Sequence, residues 1–400
     1  MKRRRILFIA EAVTLAHVAR PTVLAQALNT EIYDVCFACD PRYNRLFPAL
    51  PFEREVVYSI PSEDFASALS KGQALYKAAT LRRYIEDDLK LINEWQPDLI
   101  VGDFRLSLAV SARVANIPYM AISNIYWSPF ARQHHPIPEH ITAQLVGINL
   151  AQALFNVARP LIFASHCIAL NRVCKEYNQP WLGLNLKRVY TEADLTLYAD
   201  APGFIQTSQL PDSHHFIGPI LWAPQQSTPA WWNTLADDLP VIYLTPGSSG
   251  ADNLLPTTIN ALADLPVTVI AASAGKPGGG KLPANVFLED YLPGTKAAQR
   301  ADLVICNGGS PTTQQALAAG TPVLGICSNL DQYLNMQAIE KAGAGLLLRA
   351  GKLNAAAIRD AATLLLEKPS YKAAAQNISQ TYTHFDAKSR FKNLVELLLQ

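Results

Sequence analysis

Charge of one sign is what this 400-residue sequence lacks first: 34 Lys and Arg stand against 33 Asp and Glu, a formal net of +1. So even a balance leaves no electrostatic footprint for nucleic acid, or for an acidic surface as the main partner. Cysteine is too scattered to form a framework. Of the six, Cys36 and Cys39 make a C-x-x-C, but 35–38 reads as strand, where an offset of three sends two side chains to opposite faces. No second pair stands at zinc-ligand spacing, and reduced thiols in a cytoplasmic protein are the simpler account. No apolar run reaches the ~18–20 uninterrupted residues of a spanning helix, so a soluble protein is expected. A solenoid-length repeat and a low-complexity tract are also missing.

What is present is abundant apolar residue, half the chain, enough for more than one core and for two domains. Short apolar runs alternate with helix-like segments, the pattern of parallel sheets covered on both faces. The first series places strands at 6–10, 33–38, 99–102 and 119–122, with helices at 20–28 and 106–115. The second places strands at 241–245, 267–271, 286–288, 303–306, 323–326 and 345–348. Its helices fall at 254–263, 312–319, 334–342 and 355–367. The expected division is 1–218 as one unit, 219–240 as a linker, and 241–380 as a second unit. Prolines and Gln225-Gln226 argue for the linker, while Trp231-Trp232 argue that part of it packs down. An amphipathic tail, about 381–400, is expected to dock back on the first unit. The basic run Lys2-Arg3-Arg4-Arg5 reads as a charged lead-in to the first strand, with weak contact to anionic lipid headgroups as the alternative.

In open parallel sheets, ligands bind beyond the carboxyl ends of the strands. The odd polar residues fall there: His17 after the first strand, Asp103 after 99–102, and Pro246-Gly247-Ser248-Ser249-Gly250 after 241–245. Asn307-Gly308-Gly309-Ser310 follow 303–306, and Asp331-Gln332 follow 323–326. A cleft lined from two facing units is the economical picture. In 303–320 a buried strand enters two glycines, and Ser310-Pro311 then opens a helix, with Ser310 as N-cap and Pro311 at the first helical position. Glycines admit close approach, and a helix N-terminus presents N–H groups with partial positive charge, so phosphate suits the site. The run Gly275–Lys281 fits a G-x-x-x-x-G-K skeleton, but Leu282 stands where Ser or Thr would reach magnesium. It reads as an exposed turn. His17 and Asp103 could form a base and its orienting carboxylate, although singly each is more often structural. The aromatic stretch 124–168, with Tyr126, Trp127, Phe130 and His134, is open to two readings, core helix or apolar small-molecule pocket.

The run Asn307-Gly308-Gly309-Ser310-Pro311-Thr312, with Gln315, Gly320-Thr321-Pro322 and Asp331-Gln332, resembles the donor signature of the UDP-glycosyltransferase superfamily. Supporting echoes lie at Thr14–Pro21, Gln96–Asp103 and Phe216–Pro219. The resemblance implies the α/β GT-B fold: two facing Rossmann-like doubly wound domains with the C-terminal helix crossing back to the first. It implies His17 as general base on the acceptor hydroxyl and Asp103 as its partner. Ser248, Asn307, Gly308, Gly309, Ser310 and Thr312 would hold the donor diphosphate, Gln315 the ribose, and Asp331 with Gln332 the sugar. Tyr126, Trp127, Phe130 and His134 would line the acceptor pocket. The implied reaction is an inverting transfer from a nucleotide sugar, such as UDP-hexose, to a small hydrophobic acceptor. No cofactor or metal is called for, and the chain has no Asp-x-Asp. Three departures weaken the donor site: Asn307 replaces the family's His, Pro311 its glycine, and Gln315 its Glu. The rivals are a sugar-nucleotide epimerase on this fold and a catalytically silent binding protein.

Overall fold

The computed structural model describes residues 3–236, 238–276 and 280–399. The chain divides into two compact units, Met1–Gln133 with Val146–Ile220 and Phe385–Gln400, and His134–Leu145 with Leu221–His384.

The first unit is built on a parallel sheet of β1 (Arg4–Ala10), β2 (Tyr33–Ala38), β3 (Glu53–Glu55), β4 (Leu99–Asp103), β5 (Tyr119–Ser123), β6 (Leu195–Tyr198) and β7 (His214–Phe216), ordered β3-β2-β1-β4-β5-β6-β7. Central strands β4 and β5 are buried throughout, because helices cover both faces and leave no solvent side for a polar residue. The outer strands β3 and β7 are three residues each, a length that offers little free edge for unwanted pairing. The strands at 53–55, 195–198 and 214–216 add to those read from sequence. The final helix, Ala387–Leu398, belongs to this unit, and its fully buried Phe391 meets Phe8 of β1 with ring centroids 6.0 Å apart. The backbone carbonyl of Phe385 lies against Gly218, where a Cβ would come within 2.3 Å of it and φ is +99°. Only glycine fits there.

The second unit carries β8 (Val241–Thr245), β9 (Thr268–Ala272), β10 (Val286–Glu289), β11 (Leu303–Cys306), β12 (Val323–Cys327) and β13 (Gly345–Arg349), also parallel, ordered β10-β9-β8-β11-β12-β13. In each sheet the strand order reverses beside the first strand. These switch points, between β1 and β4 and between β8 and β11, are where loops splay to opposite faces and leave a crevice. Trp231 does pack down, donating from Nε1 to Glu289 at 2.9 Å and stacking near Phe287.

Two expectations need correction, on residues 134–145 and on the N-cap, and one helix bears on the expectation of no spanning run. Residues 134–145 pack with the second unit: Ile137 is buried, and the Glu139 carboxylate pairs with Arg349 of β13 at 2.8 Å and accepts from the Tyr333 hydroxyl at 2.6 Å. The helix-forming stretch Ile148–Glu176 is long and apolar enough to cross a membrane by length and composition. Asn149, Gln152, Asn156 and Arg159 interrupt its apolar residues, so it holds no unbroken apolar run of spanning length. Gly309 is the N-cap of the helix Ser310–Ala318, so Ser310 is its first residue.

Candidate active site

The helix Leu15–Ala27 follows β1, and on a helix residues three apart share a face. His17 and Arg20 therefore both turn to the end of β4. His17 Nδ1 lies 2.7 Å from Asp103 Oδ1. Arg20 grips the same carboxylate with a fork, Nε to Oδ2 at 2.8 Å and Nη2 to Oδ1 at 2.7 Å. Its third nitrogen, Nη1, donates to Asn124 Oδ1 at 2.6 Å. Asn124 in turn donates to Asp200, which also accepts from the Ile125 amide at 2.7 Å. Burial alone would lower the Arg20 pKa, but the Asp103 carboxylate outweighs it and the pKa is raised. Arg20 Nη2 also stands 3.1 Å from His17 Nδ1. Two donors cannot bond each other, so with Nδ1–H given to Asp103 that approach is contact only. The other ring nitrogen, Nε2, then keeps its lone pair. The side chain of His17 is 19% exposed and that of Asp103 is 0% exposed. Of this pair, only the imidazole reaches solvent.

Phe104, immediately after Asp103, has φ +56°, a conformation that costs a side-chain-bearing residue of order 1–3 kcal/mol and is held only when surroundings impose it. It lays the ring on His17, centroids 4.8 Å apart and planes 12° from parallel. Tyr190 meets Phe104 edge-on at 5.3 Å, and Trp127 meets Tyr190 at 5.3 Å. Phe65 and Tyr76 close on Phe104 from other sides. An aromatic group thus gathers around Phe104, the ring that stacks on the imidazole. Of the four residues read as pocket, Trp127 belongs to this group. Tyr126 is buried beside Trp127. Phe130 packs edge-on to His214 on the outer strand β7, and His134 counts with the second unit; neither was expected there, since no local pattern betrays a tertiary partner.

Beneath the loop after β1 lies a fully buried ionic cluster. Arg105 donates to Glu11 at 3.3 Å and to Asp88 at 3.0 Å, and Tyr84 donates to Glu11 at 3.0 Å. Burial pushes the Glu11 pKa up to about 7 against the opposing pull of Arg105.

In the second unit, three neighbouring loops follow β8, β11 and β12. Gly308 has φ +81°, and a Cβ there would lie 2.7 Å from both Cys327 Sγ and Met336 Cγ. Glycine is obligatory. Asn307 donates from Nδ2 to Ser249 Oγ at 3.1 Å, while its Oδ1 accepts from the Gly309 amide at 3.1 Å. It therefore ties the loop after β8 to the turn after β11, across the switch point. Asn335 fixes the same turn by donating to the Gly308 carbonyl at 2.8 Å and to Thr313 Oγ1 at 2.9 Å. Ser248 is exposed and Thr312 half-buried at the mouth of this turn; Ser310 is buried. Pro311 contributes no N–H, and the Gly309 amide is taken by Asn307, so the turn has fewer donors for phosphate than its shape suggests. Gln315 donates to the Trp222 carbonyl. Asp331 is half-buried in the first turn of the helix Leu330–Lys341. Gln332 is 1% exposed, and its Oε1 accepts from the Ser328 amide at 2.8 Å within a capping box with Asn329. Its side chain holds the loop. Of the G-x-x-x-x-G-K decoy, residues 277–279 lie outside the described residues; Lys276 pairs with Asp252 at 2.8 Å.

Arg20, Asn124, Asp200, Phe104, Tyr190 and Asn335 are additions to the sites read from sequence. The spacing of Arg20 from His17 was the one available signal.

Comparison with known proteins adds an independent line. The family model described as Erythromycin biosynthesis protein CIII-like, C-terminal domain, matches residues 256–385. A "PGL/p-HBAD biosynthesis rhamnosyltransferase" of Mycobacterium bovis (strain BCG / Pasteur 1173P2) is 50% identical over 381 residues, 95% of this chain and 85% of its own. A "PGL/p-HBAD biosynthesis glycosyltransferase" of Mycobacterium tuberculosis (strain ATCC 25177 / H37Ra) is 50% identical over the same length, 95% of this chain and 89% of its own. Among solved structures, the spinosyn rhamnosyltransferase SpnG complexed with thymidine diphosphate superposes with a TM-score of 0.70 at 17% identity, covering 98% of this chain and 100% of the other.

Proposed function

The chain belongs to the UDP-glycosyltransferase superfamily and is a glycosyltransferase of the GT-B fold, and from that premise we propose that it transfers rhamnose or a related hexose from a nucleoside diphosphate to a hydroxyl on an aromatic acceptor, with inversion. The observation that carries this reading is the His17–Asp103–Arg20 assembly, with an aromatic ring stacked on the imidazole. In the proposed step, Nε2 of His17 takes the proton of the acceptor hydroxyl as its oxygen bonds the anomeric carbon. The bond from that carbon to the diphosphate oxygen breaks on the opposite side, and the electron pair leaves with the diphosphate. Asp103 stabilises the imidazolium, and Arg20 keeps the carboxylate in place.

The second unit would hold the donor. Gly308 lets the backbone come close, and the hydroxyls of Ser248, Ser310 and Thr312 with the helix N-terminus would meet the leaving charge in place of a divalent cation. Asp331 would bond the sugar. The rhamnosyl relative and the thymidine diphosphate held by SpnG favour a thymidine or uridine nucleotide carrying a deoxyhexose.

The test is calorimetric titration of thymidine and uridine diphosphates into the protein and into His17→Ala, alongside a transfer assay with phenolic acceptors. His17→Ala should lower kcat by about 10²–10⁴-fold, the usual share of a general base, with nucleotide affinity unchanged. Full turnover in that variant would refute the mechanism.

A further inference from the structure

The helix Ile148–Glu176 is docked by one edge only. Ala151, Cys167, Leu170, Val173 and Cys174 are buried against the first unit. The opposite edge is apolar as well: Leu150, Leu154, Val157, Leu161 and Ile168 are all at least half exposed, with Val157 at 80% and Leu161 at 78%. Their spacing of four and three residues lays them in one straight stripe along the helix. Singly exposed leucines need no account, but a continuous stripe marks a surface that something covers. Beyond the helix, Trp181 is 64% exposed and Leu184 50%. They are held beside its last turns, because Asn171 donates to the Gly183 carbonyl at 2.7 Å and accepts from the Leu182 amide at 2.7 Å.

Charge decides what the cover is. From 145 to 190 the sequence has five Lys or Arg and one acidic residue, Glu176, a net of +4 in a chain whose total is +1. Lys187 is buried and lies close enough to Arg159 for that charge to lower its pKa, after burial itself, to about 8. Lys175 is exposed in the last turns of the helix beside Arg172, which pairs with Glu176 at 3.3 Å, and the exposed Arg188 pairs with Glu192 at 3.7 Å. An apolar stripe, an exposed tryptophan at its end and a net basic excess beside it fit an anionic lipid surface. They fit a second copy of this helix poorly. A helix pair needs complementary charges flanking the stripe, and here two copies would bring like charges together. The N-terminal arginines belong to a separate group of contacts: Arg3 donates to the Thr30 carbonyl, Arg4 pairs with Asp98, and Arg5 lies over Trp95; Lys2 lies outside the described residues.

We propose that this face seats the protein on an anionic lipid surface, the helix lying in the interface with its stripe in the acyl boundary. Flotation of the full chain with phosphatidylcholine vesicles, with and without phosphatidylglycerol, tests it. Binding is expected on the phosphatidylglycerol vesicles, weakening with salt. Val157→Gln/Leu161→Gln should reduce it roughly tenfold or more while melting like the parent and binding nucleotide as well. No flotation by the parent, equal flotation of the double variant, or equal flotation on neutral vesicles would overturn the proposal. So would light scattering that shows a dimer which the double variant dissolves. None of these readouts needs turnover, so each stands apart from the proposed transfer reaction.

Discussion

The two sheets share a strand order and a switch point, yet they fill that crevice with opposite materials. Between β1 and β4 the first unit gathers ionisable side chains, His17, Asp103 and Arg20, locked by hydrogen bonds near 2.7 Å. Between β8 and β11 the second gathers glycines and neutral amides, Gly308, Gly309 and Asn307, and offers backbone. Topology fixes where a ligand can sit; the residues decide whether the site moves a proton or cradles an anion. If that contrast holds, variants on the two sides should separate cleanly. His17→Ala would change rate and spare nucleotide affinity, and variants of the second unit should do the reverse.

The sharpest break is Gly308→Ala. A Cβ 2.7 Å from two buried sulfur-bearing side chains, at positive φ, forces the turn to move. Nucleotide affinity should fall at least tenfold, and the melting temperature should drop by several degrees, for a cost of roughly 2–4 kcal/mol. Gly309→Ala should cost less, since φ there is −70° and the nearest atom to an added Cβ is Asn307 Oδ1 at 3.3 Å. Asn307→Ala is gentler. Losing two neutral hydrogen bonds should weaken nucleotide binding by about five- to tenfold in calorimetry, on the order of 1 kcal/mol, with the fold intact. Unchanged affinity would mean that the loops after β8 and β11 need no tie.

An effect of another kind, on stability and its pH dependence, concerns the ionic cluster beneath the loop after β1. Because Glu11 titrates near 7 when folded and near 4.5 otherwise, the folded state holds its proton more tightly. That raised pKa contributes stability which is complete below about 4.5 and lost as pH rises through about 7. Urea denaturation at pH 5 and pH 8 should show this as a decline with pH, and Glu11→Gln should flatten it. A parent whose stability rises over that window would contradict the burial argument.

Much of the frame could be read directly. Strands buried on both faces, such as Val241–Thr245 and Leu303–Cys306, announce themselves as unbroken apolar runs, and the positions of His17, Asp103 and Asn307 follow from the sheet-edge rule. Three things could not. The short edge strands Glu53–Glu55 and His214–Phe216 carry polar residues because only part of each is covered. Phe104 takes a left-handed backbone that its side chain gives no hint of. Glu139 sits in a segment with no pattern of its own; its place is set by Arg349 and Tyr333, far along the chain. Local periodicity carries no record of such pairings. The same gap explains Gln332, whose motif position suggested a sugar ligand while its amide oxygen closes the cap of its own helix.

The burial of Phe391 against Phe8 imposes a schedule on biosynthesis. Synthesis runs from β1 onward, yet the helix that seals that strand emerges only after every strand of the other unit has been made. The half that begins first is therefore finished last. Until then Phe8 waits with one flank bare, and the nascent chain must keep it from foreign partners.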